Sequence, residues 1–305
     1  MNIHEPITIK DITLPTRIVM PPMATSKSIG GVIGEDLVEY YRMRADNPLV
    51  SLIITEHSFI SPEGIANPKQ VSIARDEDVP ELKKITDTIH AAGKKVFCQI
   101  NHAGASAKNP FPHLNVDTMS KDDIQRVRQL FVAAAVRARK AGYDGVEVHS
   151  AHGYLLNQFY SPLTNHRSDE YGADCIENRT RLHEEILKEI RQTLGDFPLS
   201  LRLGGCDYLE GGSKIEDAVA ACVRLESWVD LLNITGGMCM YQRKDNRNPG
   251  YFSDMSKAVK AHVTTPVLLT GGIKTVEDAN RFLEDNAADL IGIGRALLVN
   301  ANWPE

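Results

Sequence analysis

The chain is poor in cysteine. Its 305 residues hold five, Cys98, Cys175, Cys206, Cys222 and Cys239, widely scattered and with no C-x-x-C pair. That spacing excludes a disulfide framework and the usual zinc and iron–sulfur sites, so no metal is expected, and free thiols in a reducing cytoplasm are. No apolar run approaches the length of a membrane span. The opening MNIHEPITIK lacks the basic-then-apolar pattern of a secretion signal. A basic excess is missing too. Lys and Arg number 34 against 40 Asp and Glu, a net charge of −6, so nothing in the balance speaks for nucleic acid or an anionic membrane. There is no low-complexity segment, no evident linker and no G-x-G-x-x-G unit for a dinucleotide.

What remains is ordinary for a globular enzyme, with 42% hydrophobic and 24% charged residues. Short apolar runs alternate with longer amphipathic ones. The runs at 18–22, 52–56, 95–101, 145–149, 199–203, 231–235, 267–270 and 290–292 read as strands. Helical patterns occupy 35–44, 79–92, 121–141, 178–194, 215–226, 253–262 and 275–285, with Ser120 and Asp123 as a start signal and Gly93 and Gly142 as stops. Eight strands separated by helices predict an α/β fold, one (β/α)8 TIM barrel over residues 1–305. The weak point is the end. Only about a dozen residues follow the last strand, so the final helix is expected to be short, or the natural chain to be longer.

The polar residues cluster at strand ends. His149, His152 and Tyr154 fall together after the fourth strand. Strand residues alternate faces, so the two histidines converge only if the chain turns after His149, and Gly153 permits such a turn. Two imidazoles and a phenol suit a site that polarises an oxygen and delivers a proton. Alternation also places Gln99, His149 and Arg202 on the faces opposite the apolar ones, pointing into the barrel near its C-terminal mouth. Buried there, they need partners, from a bound cofactor or an internal polar network. The last two strands run into Gly271-Gly272 and Gly294-Arg295. Glycine backbone and one guanidinium at those loops suit a phosphate.

From Arg17-Ile18-Val19-Met20 to Gly294-Arg295 the chain resembles the Old Yellow Enzyme family of FMN-dependent ene-reductases, the NADH:flavin oxidoreductases. The most specific block runs HSAHGYLLNQFYSPLTNHRSDEYG from His149 to Gly172, followed by Glu177-Asn178-Arg179. The resemblance implies FMN at the barrel mouth. Pro21, Pro22, Met23, Ala24 and His57 would lie along the flavin, Gln99 at its pyrimidine edge and Arg202 near its N1. Gly271, Gly272, Gly294 and Arg295 would hold its phosphate. It also implies NADH or NADPH as hydride donor and an α,β-unsaturated carbonyl compound as substrate. His149 and His152 would bind the carbonyl, and Tyr154 would be the proton donor. Three positions depart from the family pattern. Ala24 replaces a Thr or Cys, with Thr25 as a substitute donor; Ser26 replaces a substrate-site Tyr; Ala105 replaces an Arg. The segment 103–120 is short, which implies an open substrate pocket, and Cys239 is either a pocket thiol or an incidental one.

Two other readings stand beside this one. A phosphosugar isomerase or lyase on the same barrel would use the phosphate loops without a flavin, with Glu56 as its base. A flavoprotein with a different acceptor, or a sensor, would fit the changes at Ala24, Ser26 and Ala105. The preference between NADH and NADPH, and whether the chain forms a homo-oligomer, are left open by the sequence.

Overall fold

The computed structural model describes residues 1–305. An antiparallel hairpin of β1 (Ile7–Ile9) and β2 (Ile12–Leu14) precedes everything else. Then follow β3 (Ile18–Met20), α1 (Glu35–Ala45), β4 (Val50–Ile54), the two-residue β5 (Ser58–Phe59), α2 (Val79–Ala91), β6 (Lys95–Asn101), α3 (Lys121–Lys140) and β7 (Gly145–Ser150). Three helices come before the next strand: α4 (Leu155–Tyr160), α5 (Ile176–Arg179) and α6 (Arg181–Leu194). The rest is β8 (Leu199–Cys206), α7 (Ile215–Leu225), β9 (Leu231–Gly236), α8 (Ser253–Lys260), β10 (Val267–Thr270), α9 (Val276–Glu284), β11 (Leu290–Gly292) and α10 (Arg295–Val299). The strands pair in parallel in the order β4-β3-β11-β10-β9-β8-β7-β6, and a β4–β6 pairing closes the ring. This is the expected (β/α)8 barrel. No helix is long and apolar enough to cross a membrane.

Alternation along the strands divides the apolar residues into two clusters. The outward set, including Val96, Cys98, Ile100, Val146, Val148, Leu199, Leu201 and Leu203, joins the helix faces in one cluster of 67 buried residues. The inward set at the lower end is smaller: Val19, Leu52, Ile54, Phe97, Leu231, Leu268 and Leu290 pack against Ile9, Ile12 and Leu14 of the hairpin. The hairpin is thus the plug of the barrel floor. Gly145 makes room for Phe97, because a Cβ there would stand 2.6 Å from the Phe97 ring. Above that floor the inward residues turn polar, with Gln99, Glu147, Ser200 and Asn233 all buried.

The boundaries differ from expectation in physically clear places. The first two barrel strands stop at Met20 and Ile54, where the chain leaves the ladder to line the mouth. The helix expected from 178 breaks at Thr180 into α5 and α6. The hairpin, β5 and α4 are short elements stabilised by tertiary contact, and no local periodicity announces them. Ser120 caps α3 through a reciprocal bond with Asp123, as its spacing predicts.

The last helix, α10, has five residues, and it is tied down. Arg44 donates to the carbonyls of Leu297 and Leu298, and Asn47 to those of Ala301 and Trp303. The Trp303 indole donates to the Lys274 carbonyl at 2.6 Å, anchoring the final segment to the loop after β10.

Candidate active site

The C-terminal mouth of the barrel opens into a cavity of about 360 Å³. Its wall includes Pro21, Pro22, Met23, Ala24, His57, Gln99, His149, His152, Tyr154 and Arg202. Gly271, Gly272, Lys274, Gly294, Arg295 and Tyr251 line it as well. The first of these residues come from the ends of β3, β4 and β6 to β8; Gly271 to Lys274 follow β10, Gly294 and Arg295 follow β11, and Tyr251 stands between β9 and α8.

His149 is the last inward residue of β7. The turn that follows is sharp: His152 has φ of +58° and Gly153 of +71°. A left-handed backbone at a non-glycine residue costs free energy, and such residues concentrate at functional sites. Here it brings the His149 and His152 rings to 5.2 Å and leaves Tyr154 to start α4, its ring 5.4 Å from His149. His152 Nε2 meets the Thr235 hydroxyl at 3.2 Å. His57 completes the cluster, 5.5 Å from the Tyr154 ring. Gln70 fixes its tautomer. The Gln70 carbonyl accepts from Ala66 N–H, so its amide nitrogen faces His57 and donates to Nδ1 at 2.7 Å. The His57 proton therefore sits on Nε2.

Burial sets the charge state of these rings. It pushes His57 down to about 4, with the Arg202 guanidinium adding to the effect. Burial also holds His149 and His152 well below the usual histidine range, helped by Arg202 and the neighbouring imidazoles. All are neutral at pH 7, each with one N–H to donate. Burial raises the Tyr154 phenol above its usual range, so it keeps its proton.

Arg202 is 6% exposed, and it makes neither a hydrogen bond nor an ion pair within the protein; its Nε is buried without any partner. A buried guanidinium in that state requires an acceptor from outside the chain. Beside it, Gln99 donates its amide nitrogen to Glu147 at 2.8 Å and turns its unpartnered carbonyl toward the cavity. At the other end Gly271 and Gly272 have φ of +143° and +72°, and a Cβ on Gly272 would lie 2.6 Å from the Tyr251 ring. Only glycine fits there. Arg295 has no acidic partner and donates to the Tyr251 hydroxyl at 2.8 Å.

The structure thus gathers fourteen expected residues around one cavity: the catalytic candidates Tyr154, His149 and His152, and Pro21, Pro22, Met23, Ala24, His57, Gln99, Arg202, Gly271, Gly272, Gly294 and Arg295. Ser26 stands apart. It is exposed, outside the cavity wall, and accepts from Asn67 at 3.2 Å. Thr25 is not a free substitute for the hydroxyl missing at Ala24, because its Oγ1 donates to Glu56 at 2.7 Å. Ala105 lies in an exposed turn off the wall. Cys239 is half-buried and also off the wall, and burial raises its thiol to about 12. Sequence reasoning missed Gln70, Thr235, Tyr251 and the rim residues Met240 and Tyr241. Alternation along β9, two residues beyond Asn233, could have found Thr235; no motif marks the others, which only the convergence of the loops brings together.

The sequence profile of the NADH:flavin oxidoreductase / NADH oxidase family matches residues 2–305. The chain belongs to that family. Among its relatives is an NADPH dehydrogenase of Halalkalibacterium halodurans, 35% identical, the match covering 97% of this chain and 90% of that protein. An NADH oxidase of Thermoanaerobacter brockii is 32% identical over all of this chain but only 50% of its own length. In three dimensions the old yellow enzyme homologue from Zymomonas mobilis superposes with a TM-score of 0.85 at 27% identity, covering 100% of this chain and 91% of that one. Membership makes this chain an oxidoreductase that uses FMN, with NAD(P)H as hydride donor. It also sets aside the isomerase or lyase alternative. Glu56, the base that alternative needs, is clamped by Thr25, donates its backbone N–H to the Tyr41 hydroxyl and lies off the cavity wall.

Proposed function

We propose that this oxidoreductase reduces the activated C=C bond of α,β-unsaturated carbonyl compounds. The observation that carries the reading is the convergence of two neutral imidazoles, His149 and His152, with a protonated phenol, Tyr154, on one turn beside Arg202.

The residues present fit FMN. The orphaned Arg202 guanidinium and the Gln99 carbonyl suit the heteroatom edge of the flavin ring, and Pro21 to Ala24 with His57 give it a wall. The glycine pair, Gly294 and Arg295 suit the phosphate. When bound, FMN supplies the hydride that reaches the β-carbon.

The chain's own groups do the rest. His149 and His152 donate to the substrate carbonyl oxygen, where negative charge grows as hydride arrives. Because both rings are neutral, they stabilise that charge by hydrogen bonding without surrendering a proton. Tyr154 then gives its phenolic proton to the α-carbon, so that H⁻ and H⁺ together saturate the bond. Its raised pKa keeps the acid loaded at neutral pH. Lining by Tyr241, Met240 and Phe252 on the far rim suits an apolar substrate body.

The test is an anaerobic titration of the FMN-loaded protein with NADH and with NADPH, followed by 2-cyclohexenone. Bleaching of the flavin absorbance by a nicotinamide and its return with the enone is expected. Bleaching with no return under any enone would sink the reading and leave a flavoprotein with another acceptor.

A further inference from the structure

Glu147 is the one carboxylate in the polar layer of the barrel interior, and the mechanism above does not use it. It is 0% exposed. Strand register puts it between Gln99 on β6 and Ser200 on β8. Both of its oxygens are engaged. Oε1 accepts from Gln99 Nε2 at 2.8 Å, while Oε2 accepts from Ser200 Oγ at 2.9 Å and Asn233 Nδ2 at 3.0 Å. All three donors are neutral. The only full positive charge in this layer's surroundings is Arg202, which forms no ion pair with Glu147 or with any other acid.

A buried carboxylate with three hydrogen bonds is costly, and replacing such a group by an apolar one of similar volume is often neutral or stabilising. Stability alone therefore does not account for Glu147. Its neighbours do. A glutamine amide can present either its oxygen or its nitrogen to a ligand, and the two faces are close to isosteric. Because Glu147 only accepts, it forces Gln99 to spend an N–H inward and to present its oxygen to the cavity. The same carboxylate stands behind the unpaired Arg202 and offsets part of its field at the mouth.

We infer that Glu147 is a positioning residue of the cofactor site: it aims the Gln99 carbonyl at an imide N–H of the flavin ring and sets the charge that the ring's pyrimidine end meets. The inference rests on the reading that FMN binds at this mouth. Its consequence is specific in sign. Neutralising Glu147 leaves Arg202 uncompensated, which favours the anionic reduced flavin over the neutral oxidised one. The carboxylate therefore holds the flavin potential down.

Two variants of the full chain separate the aim from the charge. Glu147→Gln keeps the size and removes the charge. In the FMN-loaded protein, its midpoint potential is expected to rise, with reduced flavin favoured roughly tenfold over oxidised, about 30 mV for a two-electron couple. Glu147→Asp keeps the charge but shortens the reach to Gln99. Its potential is expected to stay near that of the wild type, while the dissociation constant for oxidised FMN, read by flavin fluorescence, weakens about tenfold. An E147Q protein that binds FMN with an unchanged or lowered potential, or an E147D protein that binds FMN like the wild type, would overturn the inference. A loss of thermal stability with neither effect would show a structural role only. If E147Q does not fold, E147D decides. A wild type that takes up no FMN would overturn the functional reading as well, and is seen before either variant is made.

Discussion

The floor and the mouth of this barrel are built from the same strands by the same alternation, yet they behave as opposites. At the floor, inward residues of six barrel strands are apolar, and the β1–β2 hairpin seals them from water. Higher in the ring, Gln99 and Asn233 each stand two residues above a floor residue of their own strand, level with Glu147 and Ser200 on β7 and β8, and beyond them come His149 and Arg202. The floor satisfies itself. The mouth does not: Arg202 Nε, His149 Nδ1 and Asn233 Oδ1 are buried with no partner. The difference shows where stability is stored and where it is given up for function. The outer shell of helices and the sealed floor hold the ring closed. That lets a few polar side chains stay under-satisfied at its open end.

Substitutions that cross this line should have different signatures. Phe97→Ala opens a hole in the floor beside Gly145 and should cost about 3–5 kcal/mol of unfolding free energy. The flavin spectrum of the surviving folded protein should not change. Chemical denaturation alongside absorbance checks both halves. Tyr154→Phe should do the reverse. It should leave stability and nicotinamide bleaching intact but slow enone-dependent reoxidation roughly 100-fold or more, the range of a lost general acid. Stopped-flow absorbance reads that split.

Arg202→Met sharpens the comparison further. It removes a buried charge without a partner, so the FMN-free protein should be no less stable than the wild type. Loss of a charged hydrogen bond worth about 1.5–3 kcal/mol should weaken FMN binding roughly 10- to 100-fold. An apo protein clearly destabilised by the change would show that Arg202 has a structural role that the geometry does not reveal.

A difference in pH response is also expected. Burial keeps His57, His149, His152 and His183 neutral in the fold, with His57 near 4 and His183 near 3. Unfolded histidines titrate near 6.5. Between those values the unfolded chain binds more protons, so these groups stabilise the fold less as the pH falls from about 6.5 toward 4. Glu56, raised by burial to about 7, and Glu147, also raised by burial, act in the opposite sense. Four groups against two leave a net loss of stability on acidification. His57→Gln should make that loss shallower between pH 6.5 and 4, as read from urea midpoints. Phe97→Ala, at the floor, should leave the slope alone. The smallest effect belongs to Ser26→Ala, which should change enone turnover by less than about twofold, because Ser26 faces Asn67 and not the cavity.

Much of this was legible without coordinates. Barrel strands are short apolar runs whose alternate residues share a face, so seeing polar Gln99, His149 and Arg202 on the faces opposite the apolar ones was enough to aim them inward. Helix stops at Gly93 and Gly142 are local as well, since both adopt φ above +70° where a side chain is disfavoured. The hairpin plug was not legible. Three-residue strands carry no periodicity, and Ile9, Ile12 and Leu14 gain their meaning only by meeting Leu231 and Leu290 from the other end of the chain.

The sequence by itself determined the barrel, the family and the main polar groups at the mouth, though not Gln70, Thr235 or Tyr251, because each of the former depends on local spacing or on a long contiguous motif. Tertiary structure alone decided how those groups are aimed. Gln70 sets the His57 tautomer across 13 residues, and Glu147 turns Gln99 across 48. The αL turn at His152 closes the imidazole pair, and Thr25 is spent on Glu56 instead of being offered to a ligand. A hydrogen bond between distant residues depends on distance and angle in space, and no one-dimensional pattern carries either quantity.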